Sequence, residues 1–297
     1  MKRTAVINTD HGAVRSVRFN HDGNYMLTCG SDKTLKLWNP TRQLLIKSYK
    51  NIHGSEILDV VASHDNGKFA TAGLDRKVFL TDVSTGKVLR KIRAHDDKVN
   101  TVKFNSESTL LFSASVDGTC KVWDLRSRSY EPIQTMNEAK DNVTSLYVTD
   151  SQILTGSADA CIRRYDIRLG FMYSDYLGGP ISCATFTKDS QCTLAGLQGD
   201  AIRLIDNDTG KLLNEFSGHS NSEYKLECCM NSKDNYIYSG SEDSAVYIWD
   251  LITGKIISKL QHDYRVVHSI SFHPTEEKLL SASLGCVYLW EIPEDND

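Results

Sequence analysis

The sequence predicts an all-β protein: a seven-bladed β-propeller closed by its own N-terminal strand. Three observations lead there. One short phrase returns along the chain. Its copies lie at a near-constant spacing. The last copy lacks a strand that only the N-terminus is free to supply.

The phrase is plainest in "SVDGTCKVWD", and returns as "SDKTLKLWN", "SADACIRRYD" and "SEDSAVYIWD". Its final pair of residues serves as a marker: Trp38-Asn39, Thr81-Asp82, Trp123-Asp124, Tyr165-Asp166, Ile205-Asp206, Trp249-Asp250 and Trp290-Glu291. The steps between them are 43, 42, 42, 40, 44 and 41 residues, so seven copies fill the chain. A fixed period of this size marks a repeat architecture, and a propeller blade in particular.

The third copy shows the parts. "KVNTVKFN" (98–105) alternates apolar and polar residues, the pattern of a half-buried strand. "TLLFSAS" (109–115) is an apolar run suited to a strand covered on both faces. "VDG" (116–118) signals a turn, and "TCKVWD" (119–124) reads as a third strand. "YEPIQTM" (130–136) follows, with Pro132 suited to an outer edge. Four short strands per copy, with no helical period anywhere, are what packed blades require. The copies run approximately 10–51, 52–93, 94–136, 137–177, 178–217, 218–260 and 261–292.

Only "EIPEDND" follows Trp290, so the last copy has no outer strand of its own. "TAVIN" (4–8) precedes the first copy unused, and residues 4–8 are expected to complete the last blade. Such closure leaves the ring no open end. The chain of 297 residues reads as one domain: it has five prolines and no Ser/Gly/Pro-rich linker.

Composition excludes several functions. The balance, 40% hydrophobic and 24% charged, is that of a globular protein. The net charge is -4 and the basic residues are dispersed, unlike the stripe of a nucleic-acid binder. "MKRTAVINTD" lacks the apolar core of a signal peptide, and no run is long enough to span a membrane. The cysteines (Cys29, Cys120, Cys161, Cys183, Cys192, Cys228, Cys229 and Cys286) form no C-x-x-C pair. They read as reduced thiols of a cytoplasmic and nuclear protein, with no metal site and no cofactor. "GGP" (178–180) is not part of a phosphate loop and reads as a turn.

Four positions recur together in the best copies: His11, Thr28, Asp32 and Trp38; His95, Ser113, Asp117 and Trp123; His219, Ser239, Asp243 and Trp249. With these spacings the copies resemble WD40 repeats, and the resemblance covers the whole chain. It implies that each set is a hydrogen-bonded network that ties strand, turn and incoming loop. Elementary chemistry agrees. A buried indole N–H needs an acceptor and a buried carboxylate needs donors. A Ser/His/Asp set also suggests a hydrolase, but one set per blade is a fastener; no catalytic residue is assigned and the chain is read as a non-enzyme.

Other copies are incomplete. The second has His53, Thr71 and Asp75 with Thr81 in the Trp slot. The fourth has Thr155 and Asp159, then Tyr165, with Lys140 near the histidine slot. The fifth has Ala195, Gly199 and Ile205 in the three slots. The seventh keeps His262 and Trp290, with a turn one residue short. Blades five and seven are expected to be the least stable alone.

Two features bear on partners. Glu56, Lys98, Tyr224 and Arg265 follow histidine positions, while Leu74, Val116 and Glu242 precede turn acids. By resemblance, WD40 proteins hold peptides with these slots around the central opening. "WDLR" (123–126) and "YDIR" (165–168) stand at one place in consecutive copies, and resemble the motif by which WD40 substrate receptors dock on the adaptor of a cullin-RING ubiquitin ligase. That reading would make Arg126 and Arg168 the docking pair; the alternative is a salt bridge from each to a nearby acid.

Longer segments narrow the lineage: 12–40, "KVNTVKFN", "RRYDIRLG" (163–170) and "EYKLECC" (223–229). They are similar to the small WD40 scaffolds that organise mitogen-activated protein kinase cascades. This resemblance implies a non-catalytic scaffold whose partners are kinase-cascade components and spliceosomal proteins engaged in pre-mRNA splicing, a monomer within larger complexes. It implies no direct sequence-specific nucleic-acid binding and no membrane.

Overall fold

The structure, a computed structural model, describes residues 1–263 and 266–292. Its strands group into seven four-stranded antiparallel sheets, the blades of a propeller. Blade 1 runs Val14–Phe19, Met26–Gly30, Leu35–Asn39 and Leu44–Tyr49 from the channel outward. Met26–Gly30 is buried throughout, as its apolar run requires, whereas Leu44–Tyr49 exposes its first three residues at the rim.

The core is seven cores. An apolar cluster fills each blade-to-blade interface. Val14, Val17, Met26 and Trp38 of blade 1, for example, meet Leu280, Val287 and Leu289 of blade 7. Similar clusters join blades 1 and 2, 2 and 3, 3 and 4, 4 and 5, 5 and 6, and 6 and 7. No sheet has a core within itself, so each depends on its neighbours.

Two local devices repeat. The inner strand bulges after its first residue in six blades, as between Val14 and Ser16 or Ile57 and Asp59. The bulge re-aims the side chains that follow. The turn between second and third strands takes positive φ in every blade: at Lys33, Arg76, Gly118, Ala160, Ser244 and Leu284, and at both Gly199 and Asp200 in blade 5. Only the glycines, Gly118 and Gly199, adopt this conformation without steric strain.

Lys2–Asn8 is the outer strand of the last blade, antiparallel to Cys286–Glu291. Ala5 and Ile7 are buried there, and Thr9 N–H donates to Gly285 O at 2.8 Å. Deleting residues 1–9 should therefore open an edge on Cys286–Glu291 and uncover Val287 and Leu289. We expect the melting temperature to fall by about 5 °C or more. A differential scanning calorimetry trace that matches the full chain would contradict this role for the strand.

Candidate functional site

The recurrent four residues converge in blades 1 and 3. His11 Nε2 lies 2.8 Å from Thr28 Oγ1 and its Nδ1 lies 2.8 Å from Asp32 Oδ1, while Trp38 Nε1 donates to Thr28 Oγ1 at 2.9 Å. In blade 3, His95 reaches Ser113 Oγ at 2.8 Å and Asp117 Oδ2 at 3.0 Å, and Trp123 Nε1 donates to Ser113 Oγ at 2.9 Å. One proton arrangement satisfies all four groups. The hydroxyl accepts from the indole and donates to Nε2; Nδ1–H donates to the carboxylate. This is also the bond order of an acyl-transfer triad. Access separates them: Thr28 and Ser113 are fully buried, so neither hydroxyl can reach a substrate.

The remaining blades vary the theme. Blade 2 keeps His53 at 2.9 Å from both Thr71 and Asp75, with Thr81 buried in the indole position. In blade 4 a residue that the motif does not include takes the histidine's place. Arg163 reaches Asp159 at 2.6 Å, Lys140 N–H donates to the same carboxylate at 2.8 Å, and Thr155 lies 3.5 Å from Arg163 O. Tyr165 turns outward and donates to Glu138 at 2.9 Å. Blade 5 has only Ala195, Gly199 and Ile205 in the slots, and Gly199 sits at φ 116°. In blade 7 the hydroxyl is Ser281, which sequence reading missed because the shortened turn displaced the motif. It lies 2.9 Å from His262 Nε2 and accepts from Trp290 Nε1 at 2.6 Å.

Blade 6 departs from expectation. His219 has no hydrogen-bond partner among the described residues; it packs edge-on against Trp249, ring centroids 5.4 Å apart. Ser239 Oγ donates to Gly240 O, and Trp249 Nε1 donates to Ser217 O at 3.1 Å. The cause is Tyr247, at the position that holds Lys36 in blade 1 and Lys121 in blade 3. Its hydroxyl donates to Asp243 Oδ2 at 2.5 Å and accepts from Lys259 Nζ at 2.9 Å, which removes the acid from the histidine. In blade 6 His219, Ser239 and Trp249 are buried while Asp243 is exposed, and the four do not form the network.

Above the network, the mouth of the channel holds a cavity of about 370 Å³ lined by Glu56, Leu74, Lys98, Tyr224, Arg15 and His268. Four of the seven candidate partner-binding residues thus meet. Arg15 pairs with Glu56 at 3.1 Å, and half-exposed Tyr224 stands edge-on to His268 at 5.2 Å. Val116 and Glu242 lie outside the cavity lining. Glu242 is a local brace: its carboxylate accepts the N–H groups of Ser222, Glu223 and Tyr224. Arg265 lies outside the described residues.

The channel below is crossed by a charge belt that sequence reading did not find. Arg18 of blade 1 donates to Asp59 of blade 2 at 3.0 Å and to both oxygens of Glu227 of blade 6, at 2.5 and 2.7 Å. Ser16, Thr101 and Val102 N–H also donate to Asp59, and Ser269 and Ile270 N–H donate to Glu227. Burial opposes ionisation of both acids. The Lys103, Arg18 and Lys225 cations override it at Asp59, and Arg18 does so at Glu227, holding both carboxyls below their usual range. The belt joins blades through paired charges: both carboxylates accept from several donors, and Nε of Arg18 has no hydrogen-bond partner among the described residues.

A comparison with known families finds the WD domain, G-beta repeat at residues 2–39, 86–124, 210–250 and 254–291. The chain is 50% identical to human WD repeat domain-containing protein 83 over 289 residues, covering 97% of this chain and 91% of that protein. The rat protein of the same name is 48% identical over the same shares. A Dictyostelium discoideum homolog of it is 34% identical, over 97% of this chain and 98% of its own. The chain belongs to the WD40 repeat family.

The two WD40 motif arginines are not equivalent. Arg126 folds back on Asp124 at 3.2 Å while remaining 70% exposed, a pair that solvent screens strongly. Arg168 donates only its backbone N–H, to Asp166, and its exposed guanidinium has no partner among the described residues. All eight cysteines are free thiols. No group of three His, Cys, Asp or Glu among the described residues is placed to hold a metal.

Two predictions follow from the networks. Asp117→Ala removes the carboxylate that holds His95 Nδ1–H, Thr119 and the turn together, leaves only Thr119 Oγ1, 3.0 Å away, beside Nδ1, and should cost about 1–3 kcal/mol. Asp243→Ala removes a contact of Tyr247, which keeps Lys259, and should cost less. Equal losses in urea unfolding would show that the acid does not act through the histidine. The second concerns pH. Burial lowers His262 and His268, from the ordinary 6.5, to about 4, in the latter aided by Arg15. The unfolded chain therefore takes up these protons first. Their contribution is intact above pH 6.5, is lost as pH falls toward 4, and changes no further below. The melting temperature should decline across that window, and less so in His268→Phe; a flat profile in the wild type would refute the assignment.

Proposed function

We propose that the chain is a non-catalytic scaffold that organises components of a mitogen-activated protein kinase cascade and associates with the spliceosome during pre-mRNA splicing, in cytoplasm and nucleus. The observation that carries the scaffold reading is the burial of its reactive-looking hydroxyls, Thr28, Thr71, Ser113, Ser239 and Ser281. The Ser/Thr-His-Asp sets of blades 1, 2 and 3 are closed fasteners, and Asp59 and Glu227 of the channel are paired. The exposed chemistry is that of recognition: a mouth with an aromatic, an aliphatic and both signs of charge. The cascade and splicing partners rest on the segments that resemble small WD40 kinase scaffolds.

A second reading is supported by one observation. Arg168, in the motif similar to that of ligase substrate receptors, holds its guanidinium free. This reading makes the chain a substrate receptor of a cullin-RING ubiquitin ligase.

Affinity purification of the full chain with quantitative mass spectrometry distinguishes them. The scaffold reading expects kinase-cascade or spliceosomal proteins and no ligase adaptor, so that the Arg126→Glu/Arg168→Glu variant has no adaptor to lose. Stoichiometric ligase adaptor, lost in that variant, would replace it with the second reading. Surface reversals of this kind change stability by about 0.5 kcal/mol or less, so folding should not confound the result.

A further inference from the structure

The outer turns of blades 2, 5 and 6 share one chemistry: Thr85-Gly86-Lys87, Thr209-Gly210-Lys211 and Thr253-Gly254-Lys255. In each, the threonine N–H and hydroxyl both donate to one oxygen of the preceding aspartate, at 2.7 and 2.8 Å. Blade 4 keeps the glycine at positive φ, Gly170, and the acid, Asp166. It places Leu169 where the threonine stands and Phe171 where the lysine stands. The hydroxyl bond is forgone, and burial does not compensate: Leu169 is 64% exposed and Phe171 61%. Ile167, Met172, Tyr173 and Tyr176 extend the exposed apolar surface into the outer strand Met172–Tyr176.

That strand is also an unguarded edge. Asp166 N–H donates to Phe171 O, and Leu177 N–H donates to Ala160 O. Antiparallel alternation then turns the N–H and C=O groups of Met172, Ser174 and Tyr176 to solvent. The outer strands Lys2–Asn8, Leu44–Tyr49, Val88–Arg93 and Ile256–Gln261 carry lysines or arginines, which blunt an edge against pairing. Met172–Tyr176 carries none, and its one acid, Asp175, lies 3.9 Å from Arg164. Gln134–Met136 and Leu212–Ser217 also lack a cation, but the first offers only three residues of edge and the turn before the second is the polar form.

We propose that this ribbon docks an extended segment of a partner protein, which adds as a fifth strand antiparallel to Met172–Tyr176 and sets an acidic residue near its C-terminal end against Arg168. The antiparallel sense brings the segment's C-terminus to the end of the strand where the free Arg168 guanidinium stands. A second propeller fits poorly. A five-residue edge on a convex rim cannot supply the ~1,200 Å² of a stable dimer, whereas a flexible strand needs only the edge and its turn. The inference rests on the scaffold reading and names one of its surfaces.

The test uses the full chain and a fluorescein-labelled probe peptide of alternating valine and threonine that ends in two glutamates, read by fluorescence anisotropy. We expect saturable binding, weakened about tenfold or more by Leu169→Thr/Phe171→Lys, which restores the turn of blades 2, 5 and 6 and should leave the melting temperature unchanged or raised. Arg168→Glu should weaken the same probe and favour one that ends in lysines. No saturable binding up to about 1 mM, or equal binding by the double variant, overturns the proposal. So does a dimer in sedimentation that the double variant dissolves, since the occupant would then be a second copy. Should the probe fail while native partners still co-purify, the scaffold reading stands and this surface falls.

Discussion

Face-to-face packing of the sheets is the interaction on which the rest depends. A four-stranded blade has two apolar faces and no interior, so its stability lies in its two interfaces. Seven blades then need seven interfaces, and the seventh exists only if the ring closes. Lys2–Asn8 supplies the closing strand beside Cys286–Glu291, and the packing of Met26 and Trp38 against Leu280 and Leu289 completes the last interface. The charge belt acts in the same geometry. Arg18, from blade 1, reaches over blade 7 to Glu227 in blade 6 and across to Asp59 in blade 2. Its desolvated charges are tolerable only because each carboxylate also receives hydroxyl and backbone donors.

Within a blade, the hydroxyl is the hub. Thr28 and Ser113 join the indole, the histidine and, through it, the turn acid, which fixes the turn before it can serve any surface role. Losing one member is survivable when another donor meets the same carboxylate. Arg163 does this for Asp159 in blade 4, with a guanidinium in place of an imidazole. Tyr247 does it for Asp243 in blade 6, at the expense of His219.

The fold was legible because it is written in local signals: the period, the alternation in "KVNTVKFN" and the unused strand before the first copy. The networks of blades 1, 2 and 3 were legible for the same reason, since their members occupy fixed offsets in one repeat. Blade 6 was not. Whether Asp243 meets His219 depends on how far Tyr247 reaches, which is a matter of side-chain length and not of motif. The Arg18–Glu227 contact was further out of reach: its partners are 209 residues apart, and only the ring brings them together. Of the candidate partner-binding residues, Glu56, Leu74, Lys98 and Tyr224 meet at the mouth because their slots are equivalent by repeat symmetry, whereas Glu242 is drawn into bracing its own loop.

Repeat symmetry also says where specificity can be placed. Positions at blade interfaces answer to two sheets at once, and a change there needs a matched change nearby. The outer turns answer to one aspartate only. Leu169 and Phe171 could therefore replace threonine and lysine at the loss of one exposed hydroxyl bond, with Asp166 still holding the backbone of the turn through Arg168 and Leu169. A ring of near-identical blades is symmetric where it must pack and free to differ where it does not. Its recognition surfaces should accordingly be sought at residues that break the repeat without repairing anything inside it.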